Sequence, residues 1–303
     1  MNILLYITTV LIWGTTWLAL KWQLGVTAIP FSIAGRFLLA AFIMLAYLLL
    51  RKKLTVPKGE VLYLILLQGV FLFCCNFLCF YTASAWIPSG LIAVIFSTST
   101  LWNALSARFI FHKQIQPKVW QGGGLGLVGL LFLFWPEISA HSASINVLKG
   151  LGLALLGTLF FSSGNLISAR LQTLGATPVQ TNGWAMLCGA TVLLVGSLFS
   201  GLSWQIDPSP RYWGALVYLA FFGSVIGFTA YLMLVGRIGA ERAAYSTVLF
   251  PIVALNLSVW FEDYHWSLSG LFGLGLVIAG NILVFYRPAS KSGDGIGVLK
   301  TNA

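Results

Sequence analysis

The sequence predicts an all-α integral membrane protein with ten transmembrane helices, arranged as two inverted five-helix repeats. Three observations predict this fold. Hydrophobic residues make up 58% of the 303 residues and charged residues only 8%, whereas about a quarter of a soluble domain is charged. Apolar segments of roughly 20 residues, long enough to cross a hydrocarbon core, recur along the chain. The chain also aligns with itself without a gap, so that Gly69–Phe134 lies over Ala220–Phe285.

The ten spans are continuous apolar runs, which favours helices over the alternating strands of a membrane β-barrel. Only Met1 and Asn2 precede the first span, so we expect no cleaved signal peptide and a first helix that is retained. The links are short and leave no room for a soluble domain, and the polar tail at 287–303 is expected to be disordered and cytoplasmic. The predicted spans cover residues 3–21, 31–50, 61–85, 88–110, 119–136, 148–169, 179–200, 212–236, 241–261 and 268–286.

Lysine and arginine residues near span ends are retained in the cytoplasm, so their distribution predicts the orientation of the spans. With both termini in the cytoplasm, the outer links hold only Lys21, Lys149 and Arg211, and Arg36 lies inside a span. The sequence therefore predicts a multi-pass protein of the cell inner (plasma) membrane, with the lipid bilayer as a partner. The same bias accounts for the net charge of +10, and no nucleic-acid partner is expected. The other basic residues fall in the inner links and tail: Arg51, Lys52, Lys53, Lys58, Arg108, Lys113, Lys118, Arg170, Arg237, Arg242, Arg287, Lys291 and Lys300.

Two similar apolar runs of the chain carry opposite charge at their ends. "ARFIFHKQ" at 107–114 is basic, whereas "SVWFEDYH" at 258–265 is acidic, and the self-alignment places His112 over Asp263. Because five spans is an odd number, the second repeat enters the membrane from the opposite side. The link between the ninth and tenth spans then lies outside, where basic residues are not favoured and acidic residues can occur. We therefore predict a first five-helix repeat at 1–136 and a second at 148–286.

Inverted repeats place a ligand site near the midplane of the bilayer, between the two halves, and supply two related conformations. This is the architecture of a carrier that works by alternating access. The alternative is that the duplication only built a large helical bundle, since apolar segments resemble one another by chance.

Four stretches occur in a characteristic order along nearly the whole chain: "WGTTWLALK" at 13–21, "RFLLA" at 36–40, "YTASAWIPSGLIAVIFSTSTLWNALSA" at 81–107 and "LFPIVALNLSVWFED" at 249–263. Together they resemble the EamA-type permeases of the drug/metabolite transporter superfamily. The resemblance implies a ten-helix inner-membrane transporter with a central cavity, walled by helices one to four and six to nine. Such permeases most often export amino acids or related small metabolites.

The first half departs from the pattern of that family at two positions. The family usually has a proline in the middle of the fourth span and an acidic residue at its end. The second half keeps both, as Pro251 and Glu262, whereas the first half has Thr100 and Phe111 at the aligned positions. The fourth span therefore lacks the proline that would form a hinge.

Polar residues inside the spans are the candidates for a solute site. Arg36 is the one charge well inside a span, and such a charge either is functional or snorkels to the membrane surface. The fourth span carries "STSTLWN" at its midpoint. A water-filled cavity would satisfy these polar groups, and hydrogen bonding within and between helices is the alternative. The predicted polar site residues are Arg36, Asn76, Ser97, Thr98, Asn103 and Asn165.

Large aromatic side chains with one polar group each would complete the site. Aromatic walls with a few polar groups suit a small amphipathic solute, such as an apolar or aromatic amino acid. Plain helix packing is the alternative for each of them. The predicted aromatic site residues are Trp13, Trp17, Tyr81, Trp102, Trp184, Tyr231 and Tyr245.

No catalytic motif accompanies these residues, so an enzyme is not expected. The sequence has no HExxH, no GxSxG and no pair of carboxylates within a span. The four cysteines lie in predicted spans with no histidine nearby, so neither a metal nor another cofactor is expected. The acidic residues, Glu262 among them, are predicted in links, at span ends or in the tail, and we expect no buried proton-coupling group.

These observations favour a secondary transporter that exports a small-molecule solute, in particular an amino acid or a related amphipathic compound. The main alternative is a lipid-carrier flippase or a structural membrane protein, in which a cavity would open sideways to the bilayer. An intramembrane enzyme is the third hypothesis. The sequence leaves open which solute is carried, whether an ion is coupled, and whether the protein forms a homodimer.

Overall fold

The computed structural model describes residues 2–111, 117–139, 145–203, 205–239, 243 and 245–285. Every regular element within these ranges is a helix, which confirms the all-α prediction. The predicted tail at 287–303 and the basic residues His112 and Lys113 lie outside the described residues. The helices, numbered in chain order, are α1 Asn2–Lys21, α2 Ile29–Leu50, α3 Gly59–Ser84, α4 Ser89–Ser97, α5 Ser99–Phe111, α6 Pro117–Ser139, α7 Ile145–Thr173, α8 Pro178–Phe199, α9 Pro210–Ile238, α10 Tyr245–Phe261 and α11 Leu268–Phe285.

Seven helices in the described ranges are long and apolar enough to cross a membrane, namely α1, α2, α3, α6, α7, α8 and α9. Two shorter apolar helices lie within α10 and α11, at Leu249–Phe261 and Leu268–Leu283. Each of these helices overlaps a span that the sequence predicted. The molecule is therefore a bundle of apolar helices that passes through the membrane several times.

The predicted fourth span is divided into α4 and α5 at Thr98. The hydroxyls of Ser97 and Thr98 donate to the carbonyls of Val94 and Ile95, each at 2.6 Å, and the Thr98 amide donates to Ile95 at 3.0 Å. Hydroxyls that bond back to the preceding turn bend helices. Serine and threonine thus interrupt this helix without a proline, whereas α10 continues through Pro251.

Two long helices each contain a π-helical segment, in which the turn is wider than in an α-helix. The segment of α3 is Gly69–Cys75, and that of α9 is Leu219–Phe228. Gly69 lies over Ala220 in the self-alignment of the sequence, so the two segments occupy corresponding positions. π-helical turns are rare in proteins, and those that occur often lie at functional sites. Both segments are therefore candidates for functional positions.

Glycines bring α6 and α11 into close backbone contact. A Cβ added at Gly129 would lie 2.7 Å from the carbonyl oxygen of Gly273, and one added at Gly280 would lie 2.4 Å from that of Gly122. Small residues at such contacts let helices pack closely in a membrane, where the lipid offers little hydrophobic driving force. In the same bundle α2 packs along α8 and α4 packs along α10, while α1 contacts α4, α9 and α10.

Candidate functional site

Trp13 lies in the middle of α1 and contacts aromatic rings from four other helices. Its indole N–H donates to the carbonyl of Gly223, in the π-helical segment of α9, at 3.1 Å. The surrounding rings interact mainly edge to face, the arrangement that suits aromatic quadrupoles. Their centroids lie 4.7 to 6.3 Å from that of Trp13 and belong to Phe96, Phe161, Phe228, Tyr231 and Phe250.

Arg36 of α2 points into the bundle, because its side chain is covered by α3 and α9. The residue is 3% exposed, and its Nε donates to the hydroxyl of Ser224 at 2.8 Å. The guanidinium carbon lies 4.6 Å from the ring centroid of Phe77 and 5.1 Å from that of Phe37, at cation–π distance. The hydroxyl of Tyr81 also interacts with the guanidinium. Arg36 is therefore buried, and the structure does not support the alternative that it snorkels to the surface.

No acidic side chain pairs with Arg36 in the part of the chain that the structure describes. The ion pairs found there join Lys21 to Glu262 and Arg170 to Glu60. The partners of Arg36 are instead neutral hydroxyls and aromatic rings. Its positive charge is consequently held in the bundle without a countercharge from these residues.

A cavity of about 40 Å³ separates Arg36 from the aromatic face of α1. A space of this size has room for about three water molecules. The indole N–H of Trp17, on the cavity wall, has no hydrogen-bond partner among the described residues. The cavity is lined by Trp13, Thr16, Trp17, Leu20, Arg36, Asn76, Phe77, Phe80, Phe96, Phe161 and Phe228.

Hydrogen bonds hold the polar groups around this cavity. Asn76 donates from Nδ2 to the carbonyl of Gly157 in α7 at 2.8 Å, directly after the π-helical segment of α3. Tyr81, one turn or so beyond, donates to Gln23 Oε1 at 2.6 Å. On the opposite side of Trp13, Asn165 donates to the Tyr231 hydroxyl at 3.2 Å. These bonds fix side chains from α3, α7 and α9 at the cavity or directly behind its wall.

The polar residues of the fourth span lie away from this cavity. Ser97 and Thr98 bond back to their own helix, and the Asn103 carbonyl accepts from the Ser162 hydroxyl at 2.7 Å. Trp102 and Thr98 line a separate space of about 20 Å³ towards α6 and α11. The structure thus places "STSTLWN" between helices, and the break at Thr98 lies within this stretch.

One predicted aromatic site residue is also separated from the cavity. Trp184 donates from its indole nitrogen to the Thr55 carbonyl at 3.1 Å, at the end of α8 that meets the link after α2. Tyr245 begins α10, and its side chain lies outside the described residues. Of the predicted site residues, the structure brings Trp13, Trp17, Arg36 and Asn76 to the cavity wall, with Tyr81, Asn165 and Tyr231 next to them.

Glu262 lies directly after α10, as predicted, but its side chain is buried, while the residue as a whole is half-buried. Its side chain is 2% exposed and forms an ion pair with Lys21 at 2.9 Å. The amide and hydroxyl of Ser89, at the start of α4, donate to it at 3.1 and 2.6 Å, and Ser258 donates as well. Burial raises the pKa of Glu262, but the hydrogen bonds from Ser258 and Ser89 and the Lys21 charge outweigh burial and hold the pKa below its ordinary value.

This cluster borders a second, separate space of about 310 Å³, which we call the vestibule. Lys21 and Glu262 line it together with Asp207 and Arg211. The sequence interpretation treated Lys21 and Glu262 as separate charges. Their pairing joins the end of α1 to the end of α10, because the helices bring together residues that are far apart in the sequence.

Several cavity residues were not singled out from the sequence. Thr16 and Leu20 share a helical face with Trp13 and Trp17, so the spacing of that face could have identified them. Phe77 and Phe80 follow Asn76 on α3 in a similar way. Phe96, Phe161, Phe228 and Ser224 carry no comparable signal, since apolar and hydroxyl residues are common throughout the spans.

Comparisons with known proteins agree with this arrangement of helices. A solved structure described as "Crystal structure of protein" aligns with a TM-score of 0.67 at 18% sequence identity, covering 94% of this chain and 96% of that chain. At this identity the likeness establishes the fold alone. The chain therefore shares its helical architecture with a protein of known structure.

Two of the relatives that the chain resembles are named as transport proteins. The uncharacterized inner membrane transporter YedA of Escherichia coli is 29% identical over 90% of this chain and 87% of its own length. A protein of Salmonella typhimurium named probable amino-acid metabolite efflux pump is 26% identical over 91% of this chain and 92% of its own. These names describe transport and not catalysis, in agreement with the expectation that the chain is not an enzyme.

The sequence model of the EamA-like transporter family matches residues 1–135 and again residues 148–286. The two matches together cover most of the chain, including every residue of the cavity wall. The sequence resemblance to EamA-type permeases is thereby confirmed, and the protein belongs to the EamA-like transporter family.

Proposed function

We propose that the protein is a ten-helix carrier of the inner membrane, which exports a small metabolite by alternating access. It would consist of two inverted five-helix repeats, at 1–136 and 148–286, followed by a cytoplasmic tail at 287–303. Both termini would lie in the cytoplasm, as the distribution of basic residues predicts. The solute would be an amino acid or a related amphipathic compound.

One observation supports this proposal above all others, namely the cavity between Arg36 and the aromatic face of α1. Its wall combines residues of both regions that match the family, with Trp13 and Arg36 in the first and Phe161 and Phe228 in the second. A site between two halves is where a carrier binds its solute. A buried charge among aromatic walls suits a small solute with one polar end.

The internal symmetry of the helices supports the repeats. The two π-helical segments overlap when the halves are aligned, although the residues within them differ. In the same alignment Gly122 corresponds to Gly273 and Gly129 to Gly280. The contact between Gly129 and Gly273 therefore corresponds to the contact between Gly280 and Gly122. A contact that is exchanged in this way is expected at an interface between two related halves.

Export of an amino acid metabolite is supported by the name of the relative from Salmonella typhimurium. A flippase is less well supported, because its headgroup site would place Arg36 at a lateral opening. Arg36 instead contacts Ser224 and Phe77 inside the bundle. The proposed binding residues are Trp13, Trp17, Arg36 and Asn76, with Tyr81, Asn165 and Tyr231 behind them.

The direct test is a metabolite profile of the medium from cells that overexpress the protein, compared with cells that express Arg36→Gln. We expect one class of small metabolite to accumulate outside the first cells and not outside the second. The same solute should then cross liposomes that contain the purified protein, down its own gradient and without a pH gradient. Equal profiles for both strains, with equal amounts of protein in the membrane, would exclude export.

A labelling experiment tests the orientation separately. Single cysteines replace Lys53 and Asp207 in a background that lacks the four native cysteines. The cysteine at Lys53 should react only from the cytoplasm, and the one at Asp207 only from outside. Labelling of both from the same side would contradict the inverted repeats.

A further inference from the structure

The chemistry of the cavity distinguishes between solutes that share an apolar body and differ in their charged end. Arg36 supplies a positive charge to the wall, and no acidic side chain lines the cavity among the described residues. An anionic group would find a countercharge there, whereas an ammonium group would find none. The cavity therefore favours the carboxylate end of an amino acid over its ammonium end.

One further polar group on the wall, the indole of Trp17, is a hydrogen-bond donor. The indole N–H of Trp17 is a donor without a partner, in a residue that is 7% exposed. A guanidinium and an indole can only donate hydrogen bonds. The guanidinium can donate to both oxygens of one carboxylate, and Arg is the side chain well suited to bind such a group.

The nearest acidic side chain on the outer side is not free to balance an ammonium group. Glu262 borders the separate vestibule and already accepts from Ser89 and Ser258 and pairs with Lys21. Its lowered pKa reflects these same partners. A zwitterion that placed its carboxylate on Arg36 would consequently leave its ammonium group close to the positive charge of Arg36 and without an acidic partner on the described wall.

We propose that the cavity recognises an organic anion, a monocarboxylate with an apolar or aromatic body, whose carboxylate binds Arg36. The inference rests on the proposed transport function and narrows its solute from amino acids in general to the corresponding acids without an ammonium group. Arg36 would be the residue that determines specificity, and Ser224 the residue that positions it through Nε. A phosphate or phosphonate fits less well, because a second negative charge would have no cation to meet.

The test uses five ligands with the same phenyl ring on a two-carbon chain: hydrocinnamate, its amide, phenylalanine, phenethylamine and phenethylphosphonate. Their affinities are measured by isothermal titration calorimetry on the full-length protein in lipid nanodiscs at neutral pH. We expect hydrocinnamate to bind about tenfold more tightly than its amide, because a hydrogen bond to a charged group contributes more than a neutral one. Phenylalanine and phenethylphosphonate should bind more weakly than hydrocinnamate, and phenethylamine should bind weakest.

Two substitutions at Arg36 and one elsewhere complete the design. Arg36→Gln should weaken the binding of hydrocinnamate about tenfold and leave the binding of the amide nearly unchanged. Arg36→Lys should cause an intermediate loss of affinity for hydrocinnamate, because lysine keeps the charge but lacks the planar guanidinium that binds both carboxylate oxygens. Arg170→Gln is the matched control, since Arg170 is an exposed arginine paired with Glu60. Its affinities should equal those of the wild type.

The outcomes separate this proposal from the transport function. If hydrocinnamate binds no better than its amide, or phenylalanine binds better than hydrocinnamate, the anion assignment is overturned even for a working carrier. Because this comparison is made on the wild-type protein, it holds even if an Arg36 variant fails to fold. If the anion binds as expected but liposomes carry neither it nor any exported metabolite, the transport function fails and the binding site remains.

Discussion

Arg36 and Glu262 are both buried charges, but the protein surrounds them in different ways. The carboxylate of Glu262 accepts from Ser89 and Ser258 and forms an ion pair with Lys21. The guanidinium of Arg36 has a hydroxyl at Nε, a second hydroxyl near it and two aromatic rings. Within the described residues it has no countercharge.

This difference indicates two different roles. A buried charge that is fully paired maintains a structure, and removal of one partner leaves the other charge unpaired at high cost. A buried charge without a countercharge costs free energy in the folded state and is retained where a ligand or ion binds. Glu262 should therefore hold α10 against α1 and α4, whereas Arg36 should meet a solute.

The largest effect should come from Glu262→Ala, which removes the acceptor shared by Lys21 and two serines. We expect the free energy of unfolding in detergent to fall by about 2 kcal/mol, because two buried serine donors lose their acceptor and the ion pair with the partly exposed Lys21 is lost. Glu60→Ala is the matched control, because the Glu60–Arg170 pair is exposed on both sides and should contribute less than about 1 kcal/mol. Equal losses for the two variants would show that the burial of Glu262 has no energetic consequence.

Arg36→Gln should separate stability from binding. The free energy of unfolding should change by less than about 1 kcal/mol, because the substitution removes both the favourable contacts and the desolvation cost of the charge. Solute affinity should nevertheless fall about tenfold. A loss of stability as large as that of Glu262→Ala would assign Arg36 a structural role and remove the contrast between the two sites.

The pH dependence of stability should identify the Glu262 cluster. Its pKa lies below the ordinary value of 4.5 in the folded protein, so its contribution is complete above the ordinary pKa and is lost as the pH falls through the lowered value. The stability difference between the wild type and Glu262→Gln should thus be constant from about pH 8 to about pH 5 and shrink below about pH 4. A difference that shrinks near neutral pH would contradict an ionised, paired carboxylate.

The smallest effects should come from the serines that contact each charge. Ser258→Ala should reduce the free energy of unfolding by about 1 kcal/mol and leave solute affinity unchanged. Ser224→Ala should leave stability nearly unchanged and weaken binding by about threefold, because Arg36 loses the bond that orients its guanidinium. The opposite result, in which Ser224→Ala lowers stability and Ser258→Ala weakens binding in the same assays, would reverse the roles given to Glu262 and Arg36.

The helices and the special position of Arg36 could be predicted from the sequence, because both depend on the cost of polar groups in a membrane. Long apolar runs identify helices, and an arginine inside such a run is unusual whichever helices lie next to it. Trp13 and Trp17 were predicted as site residues because they are aromatic side chains with one polar group each, and Asn76 because it is a polar residue within a span. These expectations required no knowledge of which helices are neighbours.

The contacts between helices could not be predicted in this way. "STSTLWN" is the most polar stretch in the spans, but its hydroxyls bond to their own helix, to Asn281 and to Thr247. The amide oxygen of Asn103 accepts from Ser162. Local hydrogen bonds of this kind break the helix at Thr98, two residues before Thr100, which aligns with Pro251. The burial of Glu262 likewise depends on Ser89 and Lys21, which are distant in the sequence.

The central claim is that Arg36 acts on the solute while Glu262 acts on the structure, and flux through liposomes tests it most directly. The wild type, Arg36→Gln and Glu262→Gln are reconstituted in equal amounts, and uptake of the exported metabolite is driven by its own gradient alone. We predict that Arg36→Gln reduces flux about tenfold, whereas Glu262→Gln retains flux and needs no proton gradient. Normal flux through Arg36→Gln, or strict dependence on a proton gradient that Glu262→Gln abolishes, would contradict this account.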